Sequence, residues 1–179
     1  MSKREYTNEE KIQILSAEIF RQIALQAAYV MPLIEKYGDE AVQHVKKELR
    51  KSMVAHYKKR FEAAGIKNGN LDDFHEFFMK EVIAPVAIMG TEGGILVEKT
   101  KKKMITRDTK CTTLNAWRTF TDKPWIMCNI ESEVEQGMAE AMNPKMIYTQ
   151  YSGPKVKGKT HWGLSKGKPF CEFIMEIKE

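Results

Sequence analysis

Apolar positions recur every three or four residues through the first half of the chain and alternate with polar ones through much of the second. Thr7-Asn8-Glu9-Glu10 has the spacing of a capping box. Ile12, Leu15, Ile19 and Ile23 follow it as the stripe of one amphipathic helix. Pro32 is expected to end or kink that helix, because its ring removes an N–H and crowds the preceding turn. Gly38-Asp39 opens a second helix with the stripe Val42, Val45, Leu49, Met53, Tyr57 and Phe61, and Gly65 is placed to stop it. A third helix is predicted from Asn70 to about Ile83, with Leu71, Phe74, Phe78 and Val82 on one side. Residues 1–84 therefore read as the helical part of the chain.

The period changes near Pro85-Val86-Ala87-Ile88-Met89-Gly90. Ile95-Leu96-Val97 and Met104-Ile105-Thr106-Arg107 flank a lysine-rich turn near Lys101, the pattern of a hairpin. Leu114 to Phe120 suits a short helix, and Glu131 to Met142 suits another stopped by Asn143-Pro144. Lys145 to Tyr151 reads as a strand. The tail reads as two more strands, from His161 and from Phe170, joined at Ser165-Lys166-Gly167-Lys168. In the last of these, Cys171, Phe173, Met175 and Ile177 share one face, opposite Glu172 and Glu176. Helices first and strands later predict one α+β domain over residues 1–179. Its N-terminal helices would pack on a mainly antiparallel C-terminal sheet formed by residues 85–179.

Composition narrows the class without naming a function. With 42% hydrophobic and 30% charged residues in 179, the chain has the make-up of an ordinary globular domain. No apolar run is long enough to span a bilayer, and the charged opening has no apolar signal region behind it. Three cysteines, an odd number, fit reduced thiols in a cytoplasm. The net charge of +5 is concentrated in two lysine clusters, at Lys99 to Lys110 and Lys155 to Lys168. No recognised nucleic-acid motif accompanies them, so they read as solvated hairpins rather than a nucleic-acid footprint. The expected partner is a small molecule, with neither nucleic acid nor membrane involved. A homo-oligomer is compatible with the sequence.

Cys111, Cys128 and Cys171 all lie in the C-terminal half, and three readings of them stay open. The first is a functional pocket that they line without metal. The second adds His161 to make a Cys3His set suited to zinc, although no CxxC pair supports it. The third is plain core, since buried cysteine behaves as a small hydrophobe. Within the pocket reading Cys111 is the first candidate nucleophile, because it sits between a strand and a helix. His161 is either a pocket base or a rim residue beside Trp162. Trp117 and Trp125 bracket the Cys111–Cys128 segment as candidate aromatic walls, and Tyr148 is a further candidate on the strand after Asn143-Pro144. His44, His56 and His75 read as flanking or surface residues.

The order of these features carries a resemblance. Cys111 follows a hairpin, Cys128-Asn129-Ile130-Glu131 is a Cys-x-x-Glu, a helix ends at Asn143-Pro144, and Gly167-x-x-x-Cys171-x-Phe173 closes the chain. In this it resembles the L-2-amino-thiazoline-4-carboxylic acid hydrolase family, itself distantly similar to 4-vinyl-reductase-type small-molecule-binding domains. That family carries Asp where this chain has Glu131, and Gly-Asp where it has Gly167-Lys168. The resemblance implies hydrolysis of a five-membered, amidine-like ring bearing a carboxylate, without a cofactor. Cys111 or Cys128 would then attack as a thiolate, or water would attack with Glu131 as base. Arg107, Lys110 or Arg118 would hold the substrate carboxylate. The relatives' binding domains imply the alternative, a small-ligand-binding protein without catalysis.

Overall fold

The structure, a computed structural model, describes residues 7–151, 155–156, 159–160 and 163–178. Helix α1 spans Asn8–Ala63 and begins with the expected capping box. The Thr7 hydroxyl accepts from the Glu10 amide at 3.2 Å, and the Glu10 carboxylate accepts from the Thr7 amide at 2.9 Å. Pro32 does not end it. The interruption falls at Gly38, whose φ of 65° and ψ of −151° lie outside helical space, in a region that glycine alone enters readily. The end is as the sequence suggests: Gly65 has φ 73°, and the Ile66 amide reaches back to the Phe61 carbonyl at 2.9 Å.

Helix α2 (Leu71–Phe78) is capped by the Asn70 side chain and buries Leu71, Phe74 and Phe78. A π-helical turn at Met79–Ile83 joins it directly to α3 (Ala84–Ala87). The wider turn has a local cause, because the Pro85 ring would otherwise crowd the carbonyl of Glu81 four residues back. Helix α4 (Thr112–Arg118) follows the first hairpin. Helix α5 (Trp125–Met142) is one continuous helix that takes in both the Cys128 segment and the helix expected from Glu131.

Strands β1 (Ile95–Lys99), β2 (Lys103–Asp108), β3 (Met146–Tyr151) and β6 (Cys171–Ile177) form an antiparallel sheet of order β1-β2-β6-β3. This is the α+β architecture expected from the change of period. The turn expected at Ser165-Lys166-Gly167-Lys168 is present as a 3-10 turn at Leu164–Lys166, while the start of the strand expected from His161 lies outside the described residues. Among the described residues, β4 (Lys155–Val156) pairs with β5 (Lys159–Thr160) in a separate ribbon. Strand β6 is no hairpin arm. It is inserted between β2 and β3, with Asp108 opposite Cys171, Thr106 opposite Phe173 and Tyr148 opposite Met175. Its alternation holds: Cys171, Phe173 and Met175 are buried on the inner face, and Glu176 is exposed.

The core crosses residue 84. One cluster joins Tyr57 and Phe61 of α1, Phe74 and Phe78 of α2, and Met138 and Met142 of α5 to Met104, Phe173 and Met175 of the sheet. A second cluster joins Ala27, Met31 and Ile34 of α1 to Leu114 and Trp117 of α4 and to Met127 and Ile130 of α5. Among the described residues, no helix is long and apolar enough to cross a membrane.

Helix α5 lies against α1 at Gly137. A Cβ there would stand 2.7 Å from the Met53 Cβ and 3.1 Å from the Arg50 carbonyl oxygen, so the backbones meet without room for a methyl group. Gly137→Ala gains about 1 kcal/mol in helix propensity. Overpacking of a rigid contact costs about 1–3 kcal/mol, and here neither obstacle is the flexible end of a side chain. The expected outcome is a net loss of stability of up to about 2 kcal/mol, seen as a lower urea midpoint at unchanged slope.

Candidate functional site

Cys128, Glu131 and Glu135 fall at i, i+3 and i+7 on α5 and so share one face. That face looks onto the inner side of the sheet, where Asp108 of β2, Cys171 and Phe173 of β6, and Tyr148 and Gln150 of β3 are neighbours. Between the two layers lies a cavity of about 150 Å³. Cys111, Leu114 and Trp117 of α4 close one end of it, Ile23 and Gln26 of α1 line it from above, and Phe78, Ile83 and Val86 form its apolar side.

Local hydrogen bonds fix these elements. Cys111 is the N-cap of α4, and its Sγ accepts from the Leu114 amide at 3.3 Å. The Thr91 hydroxyl holds the start of the same helix by accepting from the Thr112 amide at 3.2 Å. The Gly94 amide donates to Asp108 Oδ1 at 2.8 Å. Such an approach needs the neighbouring Gly93, where a Cβ would lie 2.4 Å from that same oxygen. The Leu164 amide donates to Cys171 Sγ at 3.4 Å, which ties the 3-10 turn to the cavity wall. Strand β3 is joined to α5 by the Tyr148 amide, which donates to Gln136 Oε1 at 2.9 Å.

Burial sets the protonation of the site. It pushes Asp108 up to about 6 against the opposing Gly94 hydrogen bond, and it pushes Glu131 up to about 6 as well. Glu135 is raised further by burial and by the neighbouring Glu131 carboxyl. The thiols move the same way. Burial takes Cys111 to about 11 and Cys171 to about 12, and it raises Cys128 with Cys111 and Cys171 adding to the effect. All three cysteines are free thiols. Three side-chain atoms on the wall find no hydrogen-bond partner among the described residues: Trp117 Nε1, Glu135 Oε2 and Tyr148 Oη.

Of the residues singled out from sequence, Cys111, Cys128, Glu131, Trp117, Tyr148 and Cys171 meet at this cavity. Others do not. Arg107 alternates to the outer face of the sheet, where its Nη2 lies 3.0 Å from Glu172 and its guanidinium stacks 4.1 Å from the Phe170 ring centre. Arg118 lies in a shallow surface depression behind Cys111, donating to the Leu164 carbonyl at 3.2 Å and to Asn115 at 3.3 Å. Lys110 lines the same depression, and Trp125 starts α5 outside the cavity wall. His161 lies outside the described residues, and so does the Cys3His set that depends on it. Among the described residues, no group of three or more His, Cys, Asp or Glu is arranged to hold a metal ion.

Sequence reasoning passed over Asp108 and Glu135. Both carried a signal. Asp108 continues the inward alternation of Met104 and Thr106, and Glu135 stands one helical turn after Glu131.

No family model and no curated protein matches this chain. Among solved structures, the chain is similar to the crystal structure of a trafficking protein particle complex subunit 3 from Naegleria fowleri covalently bound to palmitic acid. The likeness has a TM-score of 0.56 at 13% identity and covers 91% of this chain and 97% of the other. At that identity the similarity is one of fold.

Proposed function

We propose that this protein is a hydrolase that opens a small amide- or amidine-like ring inside the cavity, by attack of a carboxylate-activated water. The observation that carries this reading is the meeting of Glu131 and Glu135 on one face of α5 at the cavity, with the Glu131 carboxyl pushed up to about 6 by burial and the facing thiols held neutral. A general base works best when its pKa lies near the operating pH, and Glu131 meets that condition. A thiolate route requires a lowered thiol pKa, and all three move upward.

In this mechanism Glu131 takes a proton from water as its oxygen attacks the ring carbon. Glu135, held protonated by burial and by its neighbour, gives its proton to the departing ring nitrogen as the carbon–nitrogen bond breaks. The Tyr148 hydroxyl and the Trp117 N–H offer donors to the charge that develops on the oxygen or nitrogen attached to the attacked carbon. The thiols shape and dry the wall. Three free cysteines favour a reducing cytoplasm as the setting.

A second reading is ligand binding without turnover. The structural neighbour carries palmitic acid covalently, and three thiols line this cavity. Volume supports a small ring over a long chain as the occupant. A cavity of about 150 Å³ matches one that holds benzene, which suits a single ring and is far too small for a long acyl chain.

With a panel of cyclic amidines, lactams and thiazolines as substrates, Glu131→Gln is expected to lower kcat by about a hundredfold or more, while Cys111→Ser and Cys128→Ser keep most of it. Because the base acts deprotonated, kcat/KM should rise as pH climbs through about 6. It should fall again only where Glu135 loses its proton. Full activity in Glu131→Gln would remove the carboxylate from the chemistry, and binding of a panel member without turnover would establish the second reading.

Thiol labelling checks the protonation independently of any substrate. At pH 8 only about one Cys111 in a thousand is a thiolate when its pKa is about 11. Iodoacetamide should therefore alkylate all three cysteines of the folded chain about a hundredfold more slowly than those of the urea-unfolded chain, followed by mass spectrometry.

A further inference from the structure

The cavity has an uneven chemistry. Its wall carries three carboxyls, Asp108, Glu131 and Glu135, and among the described residues that line it there is no Lys, Arg or His. Buried carboxyls are ordinarily paired, because a charge taken out of water needs a partner. The cations nearby are engaged elsewhere. Arg107 pairs with Glu172 on the far side of the sheet, Arg118 holds the Leu164 carbonyl, and Lys46 and Arg50 pair with Glu133 and Glu140 along the outside of α5.

A second observation points to a ligand independently of the acids. Tyr148 and Trp117 are 6% and 2% exposed, and both line the cavity. The Tyr148 hydroxyl and Trp117 Nε1 nevertheless find no hydrogen-bond partner among the described residues. A buried donor left in this way is costly, so a wall carrying two is shaped for polar company. The hydroxyl can accept from a ligand N–H, and the indole N–H can donate to a ring heteroatom or to water. Tyr148 stacks with Phe173 at 5.9 Å between ring centres, so aromatic faces stand beside the carboxyls and favour a flat cation.

We infer that the cavity is a binding site for a small monocyclic organic cation without a carboxylate, held by Glu131 and Glu135 on α5 and by the Tyr148 hydroxyl. This deepens the functional reading above and rests on it only in taking the cavity as the ligand's place. It departs from the carboxylate substrate that the family resemblance implies. A carboxylate inside would meet three acidic groups and no cation, and Arg107 is too misplaced to provide one. A delocalised N–H-bearing cation can instead donate to carboxyls one helical turn apart, each a charge-assisted hydrogen bond.

The test uses three small monocyclic probes of similar size and different charge on the full chain: 2-iminopyrrolidinium, the neutral lactam 2-pyrrolidinone, and cyclobutanecarboxylate. Isothermal titration calorimetry at neutral pH should give about tenfold or greater preference for 2-iminopyrrolidinium over the lactam, and no binding of the carboxylate. Glu131→Gln should weaken the cation by about fivefold or more and shrink its preference over the lactam, with an unchanged circular dichroism spectrum as the check that the variant folds. The inference fails if the lactam or the carboxylate binds as tightly as the cation, if the cation does not bind, or if a folded Glu131→Gln binds it like the parent. The charge comparison on the unaltered chain decides the matter even where a variant does not fold. Selective cation binding without turnover of any ring leaves this site standing and ends the hydrolase reading. Turnover of lactams without any preference for the cation does the reverse.

Discussion

Helix α5 is held from two sides, and the site depends on that confinement. On one side the missing Cβ of Gly137 lets its backbone settle against Arg50 and Met53 of α1. On the other, the buried Gln136 side chain accepts the Tyr148 amide and ties the helix to an edge strand. Neighbouring residues on a helix face different ways, so fixing Gln136 and Gly137 also fixes the direction of Cys128, Glu131 and Glu135. Along the outer edge, Lys46 meets Glu133 at 3.1 Å and Arg50 meets Glu140 at 2.7 Å. These partly exposed pairs add little stability, but they hold the same register between α1 and α5.

The confinement creates the electrostatics. Acids pressed between a sheet and a helix lose water faster than they gain partners, and Asp108 keeps only the Gly94 amide as compensation. A carboxyl whose folded pKa lies above its unfolded one contributes most to stability below the unfolded value and loses that contribution as pH rises through the folded one. For Asp108 and Glu131 that window runs from 3.8 and 4.5, respectively, up to about 6. At neutral pH the fold therefore tolerates these groups rather than relying on them. The thiols avoid the same conflict by staying protonated, and Cys111 and Cys171 serve as hydrogen-bond acceptors for the Leu114 and Leu164 amides.

Much of the fold was legible because its signals are local. The Thr7 capping box, the helix start at Asn70 and the Gly65 stop each depend on a few adjacent residues, and each forms as read. Pro32 does not end α1, because a long helix absorbs one missing hydrogen bond, whereas the positive φ of Gly38 interrupts it where the second helix is expected to open. Alternation identified β6 but could not say what it pairs with. Its neighbours proved to be β2 and β3, far away in sequence, rather than the residues just before it. Much of the candidate site's membership was legible from order along the chain, including Cys111, Cys128, Glu131 and Cys171. Its charge was not. Arg107 was taken as a clamp although its parity with Asp108 sends the two to opposite faces, and Glu135 was visible only once Glu131 was known to lie mid-helix.

The cavity itself has an energetic meaning. A core that leaves about 150 Å³ to be filled by something other than its own side chains forgoes close packing. At about 24 cal/mol per Å³, the sacrifice is on the order of 3–4 kcal/mol, a sizeable part of the 5–15 kcal/mol by which domains typically stay folded. Whatever fits that space restores part of the lost packing in proportion to its occupancy. A molecule that bound there would therefore slow unfolding and proteolysis in step with its concentration.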